Sequence, residues 1–206
     1  PWLSITLLGL FLTSPQLLTT CLGGHDIYHH LIFSYHFSEQ LLQGELYPRW
    51  LTRMNGGFGS PTFFFYPPLP YYLTALFSWI PEHNLLGCTP LGLSISMALI
   101  LSGMSAYYWL RELTSANYAL GLAMLYMVLP YHLLIDLYVR FSFAEFWSFA
   151  WMPLILYCSK RVSRDEPHGV VGLGISLALL ITTHLPTFLI FLPILVGYSL
   201  VACGSI

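Results

Sequence analysis

Asp26, in GGHDIYHH, and Glu145, in YVRFSFAEF, are carboxylates set in largely apolar sequence. A carboxylate so placed can act as general base toward a hydroxyl. It can also hold a divalent ion, Mg2+ or Mn2+, that offsets phosphate charge. Both have structural readings as well. Asp26 precedes IYHHLIF, where a helix needs an N-cap, and Glu145 lies close in sequence to Arg140, an ion-pair partner. Arg49 and Arg53, in YPRWLTR, and Arg140 carry guanidinium groups whose paired donors match phosphate, or anchor to lipid headgroups. His30 shares a helical face with Asp26, Phe33 and Phe37. His184, in ITTHLPT, is a further donor toward phosphate. The candidate set is therefore Asp26 and Glu145 as catalytic groups and tentative metal ligands. His30, Arg49, Arg53, Arg140 and His184 are the candidate substrate-binding residues.

Other chemistries find less support. His25 and His29 stand at i, i+4, as two zinc ligands on one helix face would, but HEXXH is absent. NGGFGSP offers backbone amides to an anion yet lacks the Lys-Ser/Thr of a phosphate loop. Net charge is −2 with no basic run, so nucleic-acid binding is not expected. The four cysteines have no CxxC spacing. Cys21 and Cys88 fall at one membrane face in the topology below, which permits a disulfide.

The elements that must position these residues follow from composition. Only 8% of residues are charged and 56% are hydrophobic, and mean hydropathy is +0.69. A soluble domain of this size needs a charged surface that this chain cannot supply, so an integral membrane protein is expected. Spans are predicted at residues 2–20, 88–110, 115–134, 141–159, 167–184 and 186–203. Small residues at Gly92/Ser96 and Ser102/Ala106 allow close helix approach. The loop 21–87 carries an amphipathic interfacial helix over 27–43. Residues 68–80 are apolar but too short to span, so a second juxtamembrane helix is expected there. Arg111, Lys160, Arg161 and Arg164 then share one side, the cytoplasm. The loop 21–87, Asp136, Arg140, Glu145 and His184 gather on the other, and ionisable groups at spans are usually functional. The expectation is one all-α, multi-pass domain over residues 1–206 in the plasma membrane, the N-terminal fragment of a longer protein.

The motifs GHDIYHH, GELYPRW, GGFGSPTFFFYPPLPYYL, YVRFSFAEF and THLPT resemble the bacterial membrane family labelled 6-pyruvoyl-tetrahydropterin synthase-related. The layout is also similar, more distantly, to GT-C glycosyltransferases. That resemblance implies a GT-C-like helix bundle with juxtamembrane helices in the first extracytoplasmic loop. It implies transfer of a sugar from a polyprenyl-phosphate donor, with membrane lipids as surroundings. Asp26 matches the acidic residue after the first span, and Glu145 the second acidic position. On this reading Asp26 deprotonates the acceptor hydroxyl, Arg49, Arg140 and His184 bind the lipid phosphate, and Glu145 helps hold a metal or the acceptor. Ile-Tyr-His follows Asp26, so the paired acidic motif of some members is missing. A transporter or flippase-like protein for lipid-linked sugars is the alternative, and a zinc hydrolase on the His cluster a third.

Overall fold

The computed structural model describes residues 1–18, 23–80 and 88–204, and they are helical throughout except for turns and an isolated Leu51–Ser60 bridge. In chain order the helices are α1 (Trp2–Leu18), α2 (Ile27–Leu42), α3 (Thr62–Phe65), α4 (Leu69–Ala75), α5 (Thr89–Arg111) and α6 (Ala116–Val128). A π-helix (Tyr131–Arg140) follows, then α7 (Phe143–Ser163), α8 (Gly169–Thr183) and α9 (Leu185–Gly204). Three segments are long and apolar enough to cross a membrane: Thr89–Arg111, Ala116–Arg140 and Leu185–Ala202. At about 1.5 Å per residue, α5 alone exceeds the roughly 30 Å hydrocarbon thickness. Trp2–Leu18 and Gly169–Thr183 are shorter apolar helices.

The most charged of the long helices, α7, occupies the centre, packing most extensively on α5 and α8 and also on α9. Its aromatic residues explain this position. Phe143, Phe146 and Trp147 are all fully buried, and the indole of Trp147 donates to Ser94 on α5 over 3.2 Å. Glu145 lies in the first turn of α7, Lys160 and Arg161 in the last. That order suits the helix dipole. Helices α1 and α5 cross closely at Gly92, where a Cβ would stand 2.8 Å from the Gln16 carbonyl. One turn on, the hydroxyls of Thr13 and Ser96 meet at 2.7 Å. The small-residue stripe on α5 thus does what its spacing predicts.

Two predicted elements change form. The stretch 115–134 is α-helical only to Val128, because Pro130 drives Leu129 into extended geometry (φ −51, ψ 133). The chain then restarts as the π-helix. Residues 68–80 make only a seven-residue helix, α4, followed by turns. About 10 Å of helix cannot cross a bilayer. The amphipathic helix predicted at 27–43 forms as α2, burying Phe37 and His30.

The two ends of the bundle differ chemically. Arg164 pairs with Glu112, and Arg161 with Glu166 at 2.7 Å, joining the far ends of α5 and α7 at the start of α8. Of the four basic residues expected to share a side, Arg161 and Arg164 are held by these ion pairs. Cys88, at the opposite end of α5, is disulfide-bonded. Its expected partner, Cys21, lies outside the described residues.

Candidate functional site

The site is built around the π-helix. Ten residues in this wider helix are unusual, and such segments often mark functional positions. It ends at Phe141, which adopts a left-handed conformation (φ 57, ψ 48) and donates its amide to the Asp136 carbonyl. The amide of Ser142 donates to the same oxygen at 2.9 Å. A bulky residue at positive φ is held only by strong surroundings. Here Phe141 is 1% exposed, wedged against Gly24 on one side and His30 on another.

Within the π-helix and the start of α7, Arg140 is the hub. Its guanidinium lies 3.0 Å from Glu145 Oε2 and 3.3 Å from Asp136 Oδ1, and it donates to the Tyr131 hydroxyl over 2.9 Å. Tyr131 in turn donates to Glu145 Oε1 over 2.7 Å. The Asp136 side chain is fully buried, while Arg140 keeps 42% of its surface. Asp136 Oδ2 has no hydrogen-bond partner among the described residues. The cluster is therefore closed on its protein side and open at Arg140.

The segment Gly24–Asp26 docks on the end of the π-helix. The amide of His25 donates to the Val139 carbonyl at 3.0 Å and that of Asp26 to the Arg140 carbonyl at 3.1 Å. Asp26 occupies the N-cap position of α2, and its carbonyl accepts from the His30 amide at 3.1 Å, yet its side chain makes no capping bond. The carboxylate is exposed and has no ion-pair or hydrogen-bond partner among the described residues.

Beneath Asp26, His30 is buried among Tyr66, Tyr71, Phe141 and Phe143, with ring centroids 5.6–6.2 Å away. Its Nδ1 is 2.7 Å from the Tyr71 hydroxyl. Burial pulls the imidazole down to about 4, only partly opposed by Asp26. Burial also pushes the Tyr71 phenol well above its ordinary range, so the hydroxyl keeps its proton, and the His30 tautomer sets which of the two donates. Tyr66 is pushed up to about 12, by burial first and then by the charges of Asp26, Asp136 and Glu145.

The remaining predicted residues divide. His184 caps α8, shares a 2.7 Å hydrogen bond with Thr187, and feels the charges of Glu145 and Arg140. It belongs to the cluster. Thr187, Glu145 and Tyr131 edge a cleft of ≈ 240 Å³ whose other walls are apolar, including Phe149, Phe191 and Ile194. Arg53 is drawn away, pairing with Glu39. Arg49 is exposed, its guanidinium 4.9 Å from the Tyr47 ring centroid and 5.9 Å from that of Phe64. No carboxylate pairs with it among the described residues. His30 serves as a buried support rather than a surface ligand.

Of the two candidate metal ligands, Glu145 has both oxygens engaged by Tyr131 and Arg140, while the Asp26 carboxylate is uncommitted. Among the described residues no group of three or more His, Cys, Asp and Glu is spaced to hold a metal.

Tyr131, Tyr66, Tyr71 and His132 were not legible as site residues. His132 is buried and stacked on Phe149 at 4.1 Å, with Nε2 unpartnered among the described residues. The available signal was the Tyr131-His132 pair just after Pro130, in a chain whose polar residues are scarce. Comparison with protein-family models, curated proteins and solved structures finds no match to this chain.

Proposed function

We propose that this chain is a multi-pass plasma-membrane glycosyltransferase, moving a sugar from a polyprenyl-phosphate donor to an acceptor hydroxyl at the extracytoplasmic face. The observation that carries the reading is the juxtaposition of three things. An unpaired, exposed carboxylate, Asp26, is docked through its backbone on Arg140. Arg140 presents a half-open guanidinium. An apolar cleft opens beside it between α7 and α9. A substrate with a phosphate head and a long apolar tail has the matching distribution of chemistry. The similarity of the layout to GT-C glycosyltransferases, with Asp26 and Glu145 at their two acidic positions, points the same way.

In this reading Asp26 accepts the proton of the acceptor hydroxyl, whose oxygen attacks the anomeric carbon as the bond to phosphate breaks. Arg140 stabilises the departing polyprenyl phosphate, with His184, hydrogen-bonded to Thr187 at the cleft edge, adding a further polar group. Glu145 and Asp136 are positioning residues that hold Arg140. No step is routed through a metal.

The test is transfer from a radiolabelled polyprenyl-phosphate sugar by purified protein in lipid vesicles. Transfer lost in Asp26→Asn supports the base assignment, and full activity in that variant overturns it. Donor that binds but is never consumed by the parent protein favours a binding-only transporter instead.

A further inference from the structure

A second cavity, of ≈ 210 Å³, lies away from the Arg140 cluster between α2, α4 and the start of α5. It is far larger than the roughly 10–15 Å³ that one water requires. Leu31, Leu42 and Leu91 give it apolar walls, and Ser34, Ser38 and Glu39 give it one polar side, all on α2.

That polar side is incomplete. Ser34 is 5% exposed and Ser38 7%, one helical turn apart. Ser34 Oγ is buried with no hydrogen-bond partner among the described residues, and Glu39 Oε2 has only His36 Nδ1 nearby, at 3.7 Å, beyond hydrogen-bond range. Buried polar atoms left in this state are rare and call for a partner. Across the cavity the hydroxyls are already committed: Thr74 donates to Ser94 over 2.9 Å, and Ser78 to the Ala75 carbonyl over 2.7 Å. Among the described residues no hydroxyl across the cavity is free to serve Ser34, which leaves that place to an occupant, and one bearing a hydroxyl can also donate to Glu39.

The surroundings say what kind. Leu42, Leu76 and Trp79 near the cavity are 74%, 60% and 77% exposed, a surface suited to lipid rather than water. Arg53, bound to Glu39 and 65% exposed, supplies a cation beside the acid.

We infer that the α2–α4–α5 cavity binds a membrane glycerophospholipid with a hydroxyl-bearing headgroup. Its apolar part lies along Leu31, Leu42 and Leu91, its hydroxyls meet Ser34, Ser38 and Glu39, and its phosphate faces Arg53. The inference stands on its own residues and not on the transfer reaction, since neither Asp26 nor Arg140 touches this cavity.

The experiment uses the purified protein in vesicles of equal phosphatidylglycerol and phosphatidylcholine with matched chains. Lipid retained after mild extraction is then counted by native mass spectrometry. Phosphatidylglycerol should be retained about threefold to tenfold over phosphatidylcholine, what one or two net hydrogen bonds are worth. Ser34→Ala/Ser38→Ala should lower that ratio toward unity while the melting temperature holds. Ser78→Phe, at a half-buried position on the opposite wall, should lower the total retained. Equal retention of both lipids by the parent overturns the inference. So does a preference that the double alanine variant leaves undiminished, or a total that Ser78→Phe in folded protein leaves unchanged.

Discussion

The backbone amide of Asp26 donates to the carbonyl of Arg140 over 3.1 Å, joining the first polar loop to the last residue of the π-helix. Two residues more than a hundred positions apart are thereby fixed at one site. Their side chains differ in what they contribute. Arg140 is committed to Glu145, Asp136 and Tyr131, whereas the Asp26 carboxylate is uncommitted. Its substitution should separate activity from stability.

Asp26→Asn keeps the size of the side chain and every backbone bond. A general base typically contributes about 10²–10⁴-fold to rate, so transfer should fall by that order. The melting temperature should not move, because no described partner is lost. A variant that loses transfer and stability together would show Asp26 acting as a structural cap.

Gly24 is the residue that lets Asp26 reach Arg140. It has φ +146, and a Cβ there would stand 2.6 Å from the Phe141 side chain. Gly24→Ala forces a strained conformation as well as a contact with a buried ring, at a cost of about 1–3 kcal/mol. Transfer should fall through displacement of Asp26, with a lower melting temperature as the accompanying sign. Unchanged behaviour in both would mean that the docking does not matter.

Much of this architecture was legible because apolar runs announce themselves. Residues 88–110, 167–184 and 186–203 match α5, α8 and α9 within two residues, and α2 follows its amphipathic pattern. The π-helix was not legible, since Pro130 marks a break but nothing in YHLLIDLYVR dictates a wider turn. The same holds for the site. Scarce charges in apolar sequence pointed to Asp26, Arg140, Glu145 and His184. Which charge neutralises which depends on three-dimensional register, so the commitment of Glu145 to Arg140 and of Arg53 to Glu39 could not be ranked. His30 looked like a ligand because its face carries Asp26. The aromatic rings that bury it come from residues 66, 71, 141 and 143, remote in sequence.

Arg140→Met tests the hub. It leaves Asp136, whose side chain is fully buried, without its cation. A buried carboxylate stripped of its cation takes up a proton rather than staying charged, so the cost falls below the roughly 3–5 kcal/mol of an orphaned buried charge, and the half-open position of Arg140 lowers it further. Adding Asp136→Asn should recover a good part of it, because the acid left without a partner is gone. Thermal melts of the single and double variants measure the coupling directly. Losses that simply add would show that the 3.3 Å contact carries no energy.

Acid should weaken the fold through His30. Burial lowers its imidazole to about 4 in the folded chain, against about 6.5 when unfolded. Between those values the unfolded chain binds a proton that the folded chain refuses. Stability from this group is therefore complete above about pH 6.5, falls as pH drops toward 4, and levels off below that. The full loss is up to about 3 kcal/mol, at 1.36 kcal/mol per unit. His30→Asn removes the titration while its side-chain amide, which both donates and accepts, can still pair with Tyr71. Denaturation midpoints at pH 7 and 4.5 should diverge in the parent and lie closer together in the variant, whose midpoint at pH 7 is lower because the ring is lost from its aromatic surroundings. If both proteins lose the same stability on acidification, the acid-sensitive group lies elsewhere.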